Sequence, residues 1–167
     1  MNESASTSTA HVSVDLACFE LAGQIYAVPI ARVREILTTP RLTPLPDAPE
    51  VIEGLIDLRG TLIPVVDLWK LLVRDGTPAG PRNRTVVVEA RGLVVGFRVD
   101  RATQVVAATA DAIETIPELT REAGCAVVGA VVRRKDRSPI LVLELDVLID
   151  RVIGSRKSAM TRDEVAA

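Results

Sequence analysis

Arg59 is the side chain best placed by its local sequence to meet a partner through charge. It stands in G-L-I-D-L-R-G-T-L-I-P-V-V-D-L (Gly54 to Leu68), where two apolar, strand-like runs fold about Arg59-Gly60. Glycine takes a positive φ at no steric cost, so the dipeptide closes a tight hairpin and leaves the guanidinium at its tip. There it can offer charge-assisted hydrogen bonds to carboxylates or carbonyls, although a solvated turn arginine is the commoner case. Pro64 cannot donate a ladder hydrogen bond, which places the second run at a sheet edge or a bulge, where another chain can dock. Asp57 and Asp67 flank the tip and invite a reading as paired carboxylates for acid-base work. Yet Asp57 alternates out of the run Leu55-Ile56-Leu58, and Asp67 heads Leu68-Trp69-Lys70-Leu71-Leu72 as a natural helix cap. Asp100 and Glu144 read similarly, as turn and strand-surface residues.

Other chemistries are thinly supplied. The single histidine, His11, lies in a small, polar N-terminal stretch, so no histidine base or Ser-His or Cys-His pair is expected on a packed scaffold. Cys18 and Cys125 are far apart, with no C-x-x-C, and read as reduced, buried thiols instead of a disulfide or metal site. No G-x-G-x-x-G or G-K-[ST] cradle occurs, so no cofactor is expected. A net charge of −2 and 2% aromatic residues leave neither the basic stripe nor the stacking platforms of a nucleic-acid binder. The one dense basic run, Arg133-Arg134-Lys135-Asp136-Arg137, sits between two strand candidates and reads as a solvated hairpin loop before a partner patch. No apolar run approaches the ~18 residues needed to span a bilayer, and the expected location is cytoplasmic.

The elements that must position Arg59 are short and mostly extended. Val14 to Leu21 and Gln24 to Val28 form one hairpin about Ala22-Gly23, and Pro29 to Glu35 holds a helical turn before Ile36-Leu37 resumes a strand. Pro40, Pro44, Pro46 and Pro49 exclude a long helix there. Leu68 to Leu72 is a brief amphipathic helix, and Arg74 to Asn83, with two glycines and two prolines, is a loop. Thr85 to Ala90 and Leu93 to Val99 pair about Arg91-Gly92. Gln104 to Ala107, Val127 to Val132 and Pro139 to Leu145 complete the strands. A helix from Asp146 to Val152, capped by Asp146 and stopped at Gly154, precedes a charged tail. About nine or ten short strands with regular turn signals indicate one or two small antiparallel barrels.

Several segments in order carry a family resemblance. They are F-E-L-A-G-Q-I-Y-A-V-P-I-A-R-V-R-E-I-L (Phe19 to Leu37), R-L-T-P-L-P-D-A-P-E-V-I-E-G (Arg41 to Gly54) with the Arg59 hairpin, V-V-G-F-R-V-D-R-A-T-Q-V-V (Val94 to Val106), I-E-T-I-P (Ile113 to Pro117), V-V-G-A-V-V (Val127 to Val132) and P-I-L-V-L-E-L-D-V-L-I (Pro139 to Ile149). Between about Val14 and Val152 the chain resembles the CheW family of bacterial chemotaxis coupling proteins, and linked motifs are more specific than any one of them. The resemblance implies an all-β fold: two small five-stranded SH3-like antiparallel barrels packed side by side, with short helical turns and a C-terminal helix. The CheW-like domain would span 13–153, between flexible tails at 1–12 and 154–167, and the loop 74–83 would mark the passage between its halves.

It further implies a non-enzymatic adaptor that couples a CheA-type histidine kinase, through the kinase's CheW-like regulatory domain, to the cytoplasmic tip of methyl-accepting chemoreceptors in arrays at the inner membrane. Carried over residue by residue, the receptor groove would use Val33, Glu35, Ile36, Gly54, Arg59 and Val86, while the kinase-binding residues stay unassigned. Two departures stand out: Trp69 where the family usually has arginine, and Thr103-Gln104 where an acidic residue commonly precedes Val105. Trp69 is as consistent with a packed anchor as with a hot spot. The alternatives are an adaptor for a chemosensory pathway governing surface motility or gene expression, the regulatory domain of a CheA-like kinase, which the lack of any kinase or receiver sequence disfavours, and a small β-barrel enzyme without histidine, for which no convergent site is evident.

Overall fold

Alternation within single strands builds three apolar interiors, and these organise the molecule. The computed structural model describes residues 12–73, 78 and 80–154, without the side chains of 124 and 125; His11, both expected tails apart from Val12 and Gly154, and part of the 74–83 loop lie outside the described residues. The strands are β1 (Ser13–Leu21), β2 (Gln24–Pro29), β3 (Val33–Thr38), β4 (Ile52–Leu58), β5 (Thr61–Asp67), β6 (Arg84–Ala90), β7 (Leu93–Val99), β8 (Arg101–Thr109), β9 (Ile113–Thr115), β10 (Val128–Arg134) and β11 (Arg137–Leu143). The helices are α1 (Leu68–Leu72), α2 (Glu118–Thr120), which runs on into a π turn over Arg121–Cys125, and α3 over 145–154.

On β1, Leu16 and Cys18 point into a cluster with Ala27, Val132 and Ile140. Ala17, Phe19 and Leu21 point the other way, into a cluster shared with Val86, Val88 and Phe97. Strand β6 repeats the division: Val86 and Val88 enter the shared cluster, while Val87 joins Ile56, Ile63 and Val65 in a third. Period-two side-chain direction therefore makes β1 and β6 apolar on both faces. Each sheet has its own interior, and the shared cluster is the seam between them. Burying a Val, Leu, Ile or Phe there contributes ~1.5–3 kcal/mol.

One sheet has six strands, in the order β8-β1-β2-β11-β10-β9, and the other has five, β3-β6-β7-β5-β4. Two expectations are thereby corrected. The count is six and five, because the three-residue β9 pairs with β10 at Ala130–Val132, too short a run to be seen as an alternation. The sheets are also mixed, since β11 runs parallel to β2 and β5 parallel to β7. The chain leaves the six-stranded sheet after β2 and returns to it at β8. That places the passages between sheets at Ile30–Arg32 and Asp100, whereas the connection 74–83 joins two parts of one sheet.

Strand β5 is interior, with β4 at the edge, contrary to the expectation for Pro64. Pro64 is tolerated because its β7 ladder begins only at Val65. Leu37 and Leu58, from the two edge strands β3 and β4, pack against the same interior cluster, so the five-stranded sheet is strongly curled. Helix α1 occupies the expected residues, with Asp67 accepting the Trp69 backbone N–H at 2.9 Å. Helix α3 begins at 145, one residue before the expected cap. Glu144, read from the sequence as a strand-surface residue, instead follows the end of β11, and its carbonyl accepts the Leu148 N–H at 3.0 Å.

Candidate partner-binding site

Val33, Glu35 and Ile36 are arranged by an irregularity that alternation alone does not reveal. Strand β3 pairs with β6 as Val33↔Val88, Glu35↔Val87 and Ile36↔Val86, with a register shift between Val33 and Glu35. Directly opposed residues in an antiparallel pair share a face. The extra residue at Arg34 therefore sets both Val33 and Ile36 on the seam side, with Val88 and Val86, and turns Glu35 to the opposite side, with Val87. Strict alternation would separate Val33 from Ile36. Ile36 remains 41% exposed, an apolar side chain at the margin of the seam.

Arg59 and Gly60 have φ of +53° and +82° in a two-residue turn closed by the pair Leu58↔Thr61. Positive φ at both central positions matches the right-handed twist of the strands. Asp57 is exposed and accepts the Gly60 N–H at 2.8 Å, so it closes the turn. The Arg59 side chain is 79% exposed, and its Nη2 lies 3.4 Å and 3.3 Å from the two oxygens of Glu35. That contact spans the two edge strands of the curled sheet, over a recess lined also by Leu58, Thr61, Val87 and Val94. An exposed pair at such separations contributes only ~0–1 kcal/mol, so a partner carboxylate can exchange with Glu35 at little cost.

Two further residues expected in the site have mainly internal roles. Val86 is 1% exposed and belongs to the seam cluster, so it backs Ile36 and does not itself line an open slot. Gly54 has φ +156°, and a Cβ there would lie 2.5 Å from the Thr43 carbonyl oxygen. The close approach it permits is by its own chain, at the bridge Thr43↔Leu55. A residue not singled out as a site from the sequence completes the apolar margin. Val105 on β8 is opposed to the buried Ala17, hence on the seam side, and is 60% exposed. Strands β6 and β8 come close to one another.

A buried polar cluster lies at the foot of the same strands. The Arg82 guanidinium meets the Asp67 carboxylate through two nitrogens, one contact at 3.1 Å and one between Nη2 and Oδ1. It also lies 5.9 Å from the Trp69 ring centre. Its Nε is 3.3 Å from Asp100 Oδ1, close enough for an ion pair but too poorly aligned for a hydrogen bond. Asp100 accepts the Trp69 indole N–H at 2.8 Å and the Ala22 N–H at 2.9 Å, so this expected turn residue ties both sheets together. Burial alone raises the Asp67 pKa, but hydrogen bonds and charge from Arg82, with help from Glu53 and the Trp69 N–H, outweigh it and hold the carboxyl below its ordinary value. Trp69, 9% exposed, is a packed anchor. No spacing signal in the sequence joins residues 67, 82 and 100.

The basic run expected as a hairpin loop is mostly strand: Arg133 and Arg134 end β10, Arg137 begins β11, and only Lys135-Asp136 form the turn. Arg133 pairs with Glu114 at 2.9 Å, and Arg134 donates to the Ser138 carbonyl at 2.7 Å. Cys18 is buried and free, and burial pushes its thiol pKa up. Among the described residues no helix is long and apolar enough to cross a membrane.

Comparison with known proteins covers nearly all of these elements. The family model of the CheW-like domain matches residues 15–152. Over 134 residues the chain is 28% identical to the chemotaxis protein CheW of Treponema pallidum (strain Nichols), covering 78% of each. Protein FrzA of Myxococcus xanthus is 36% identical over 83 residues, 50% of this chain and 52% of that relative. Among solved structures, the scaffolding protein TtCheW from Thermoanaerobacter tengcongensis superposes with a TM-score of 0.73 at 30% identity, over 82% of this chain and 92% of that one.

Proposed function

Because the chain belongs to the CheW-like family, we propose that it works as a non-enzymatic coupling adaptor, holding a CheA-type histidine kinase against the cytoplasmic tips of methyl-accepting chemoreceptors. The observation that carries this reading is the family match across 15–152, which includes almost every strand of both sheets. Its work is recognition, and it breaks no covalent bond. The chain would act in the cytoplasm, at receptor arrays on the inner membrane. Residues 13–153 would form the working unit, with 1–12 and 154–167 as tails.

In this reading the receptor hairpin lies along the seam. Val33 and Ile36 offer apolar contacts there, with Val86 as their buried support and Val105 facing them from the other sheet. Arg59 exchanges Glu35 for receptor carboxylates or carbonyls, and Gly54 holds the Thr43 segment close behind the hairpin. The kinase's regulatory domain takes other barrel surfaces, with no residue assigned. The test is reconstitution: ATP turnover by the kinase with a receptor signalling fragment, measured with and without this chain. Turnover should rise only when all three are present, and a rise that is indifferent to this chain would refute the reading. An adaptor serving surface motility or gene expression is the second reading, and the similarity to FrzA fits it. Capture of the native receptor and kinase distinguishes the two.

A further inference from the structure

Arg82 stands two residues ahead of β6, which carries Val86, and Asp100 stands one residue ahead of β8, which carries Val105. Their contact at 3.3 Å therefore joins the starting points of two strands that come close to one another, one carrying Val86 of the seam cluster and the other Val105 opposite Ala17. Each partner is also held from a second direction. The remaining Arg82 nitrogens are occupied by Asp67, beside the first turn of α1, and the Arg82 side chain is only 11% exposed. The Asp100 carboxylate holds Trp69 of α1 and the Ala22 turn of the β1–β2 hairpin. Neither side chain can turn away without giving up a buried partner.

Apolar packing along the seam is non-directional and stabilises contact without fixing one register. A buried charged group with several fixed partners is either satisfied or costly, which favours one arrangement over neighbouring ones. We propose that the Arg82–Asp100 pair is a positioning device: it sets the spacing of β6 from β8, and so the width of the seam that receives a receptor helix. The second half of this inference rests on the seam being the receptor groove.

Spin labels at Ile36→Cys and Val105→Cys, in a chain also carrying Cys18→Ala and Cys125→Ser, read the spacing directly by double electron–electron resonance. Asp100→Asn keeps size and an acceptor oxygen but removes the charge that Arg82 faces. In that variant the distance distribution should shift or broaden, and affinity for a receptor helical-hairpin fragment should fall about tenfold. Affinity for the kinase's regulatory domain should not change. Arg82→Lys, which keeps the charge without the planar fork, should give the same pattern. Far-ultraviolet circular dichroism reports whether each variant is folded, and if Asp100→Asn is not, Arg82→Lys decides. An unchanged distance distribution, or a changed one with undiminished receptor affinity, overturns the inference. A parent chain that fails to bind the fragment overturns the groove reading instead, while the distance measurement still decides whether the pair sets the spacing.

Discussion

Arg59 and Arg82 carry the same guanidinium into opposite environments. Arg59 sits at a turn tip, 79% exposed, with only a loose approach to Glu35. Arg82 is 11% exposed, facing two carboxylates and the ring of Trp69. The first is inexpensive for the fold to lose and available to a partner. The second is already committed, so its loss strands Asp67 and Asp100 without their cation. The difference shows that exposure and prior commitment, more than residue type, decide whether an arginine serves binding or architecture.

The largest effect expected from breaking this contrast is on the buried side. Arg82→Ala should destabilise the fold by ~3–5 kcal/mol, because removing one member of a buried ion pair leaves an uncompensated charge. Denaturant unfolding followed by Trp69 emission measures it. A loss near that of an ordinary surface substitution would mean that water already satisfies Asp67 and Asp100.

On the exposed side the loss should appear in coupling and not in folding. Arg59→Ala keeps the positive-φ backbone requirement, so only the side chain is tested; stability should shift by less than ~0.5 kcal/mol. Loss of a charge-assisted contact at an interface centre costs ~2 kcal/mol or more. Receptor-dependent activation of the kinase should therefore collapse while the melting temperature stays. If melting falls instead, Arg59 belongs with Arg82 as a structural cation.

Acid titration sharpens the contrast further. The folded-state pKa of Asp67 lies below its ordinary 3.8. Its ionised form therefore contributes stability that is fully present above about pH 3.8 and is lost as pH falls through the lower folded value. Thermal melts below pH 3.8 should show a decline that Asp67→Asn, already destabilised at neutral pH, shows less steeply. Parallel pH profiles for the two chains would remove Asp67 as the source.

Much of this was legible along the chain. The Asp67 cap, helix α1 and the Arg59-Gly60 turn are local, and their residue types dictate them within a few positions. The bulge at Arg34 was not legible, because one extra residue in a strand leaves no compositional mark, and it is what brings Val33 and Ile36 to one face. Nor was the clasp: Asp100 looks like any polar residue between two strands until the chain's return to the first sheet brings it to Trp69 and Arg82. Gly54 was carried over as a receptor-groove residue, whereas the backbone packed against it is the chain's own Thr43 segment, a long-range pairing. Residues whose roles come from topology were the ones the sequence concealed.

The smallest expected effect provides the control, because the chain contains a second Arg-Gly turn. Arg91 and Gly92 have φ of +51° and +70°, nearly the geometry of Arg59 and Gly60. Arg91 differs in what stands opposite: Nη2 reaches Asp150 on α3 at 2.9 Å, with both side chains about half exposed, at 51% and 53%. Exposed pairs of this kind contribute ~0.2–1 kcal/mol and weaken with salt. Arg91→Ala should therefore shift stability by no more than ~0.5 kcal/mol, less still at high ionic strength, and leave receptor-dependent kinase activation intact. Measured beside Arg59→Ala, it separates the turn from the site. Should both substitutions abolish coupling, an arginine at a hairpin tip would matter wherever it stands, through net charge or general recruitment. Should only Arg59→Ala do so, the effect belongs to the hairpin tip where Arg59 stands beside Glu35.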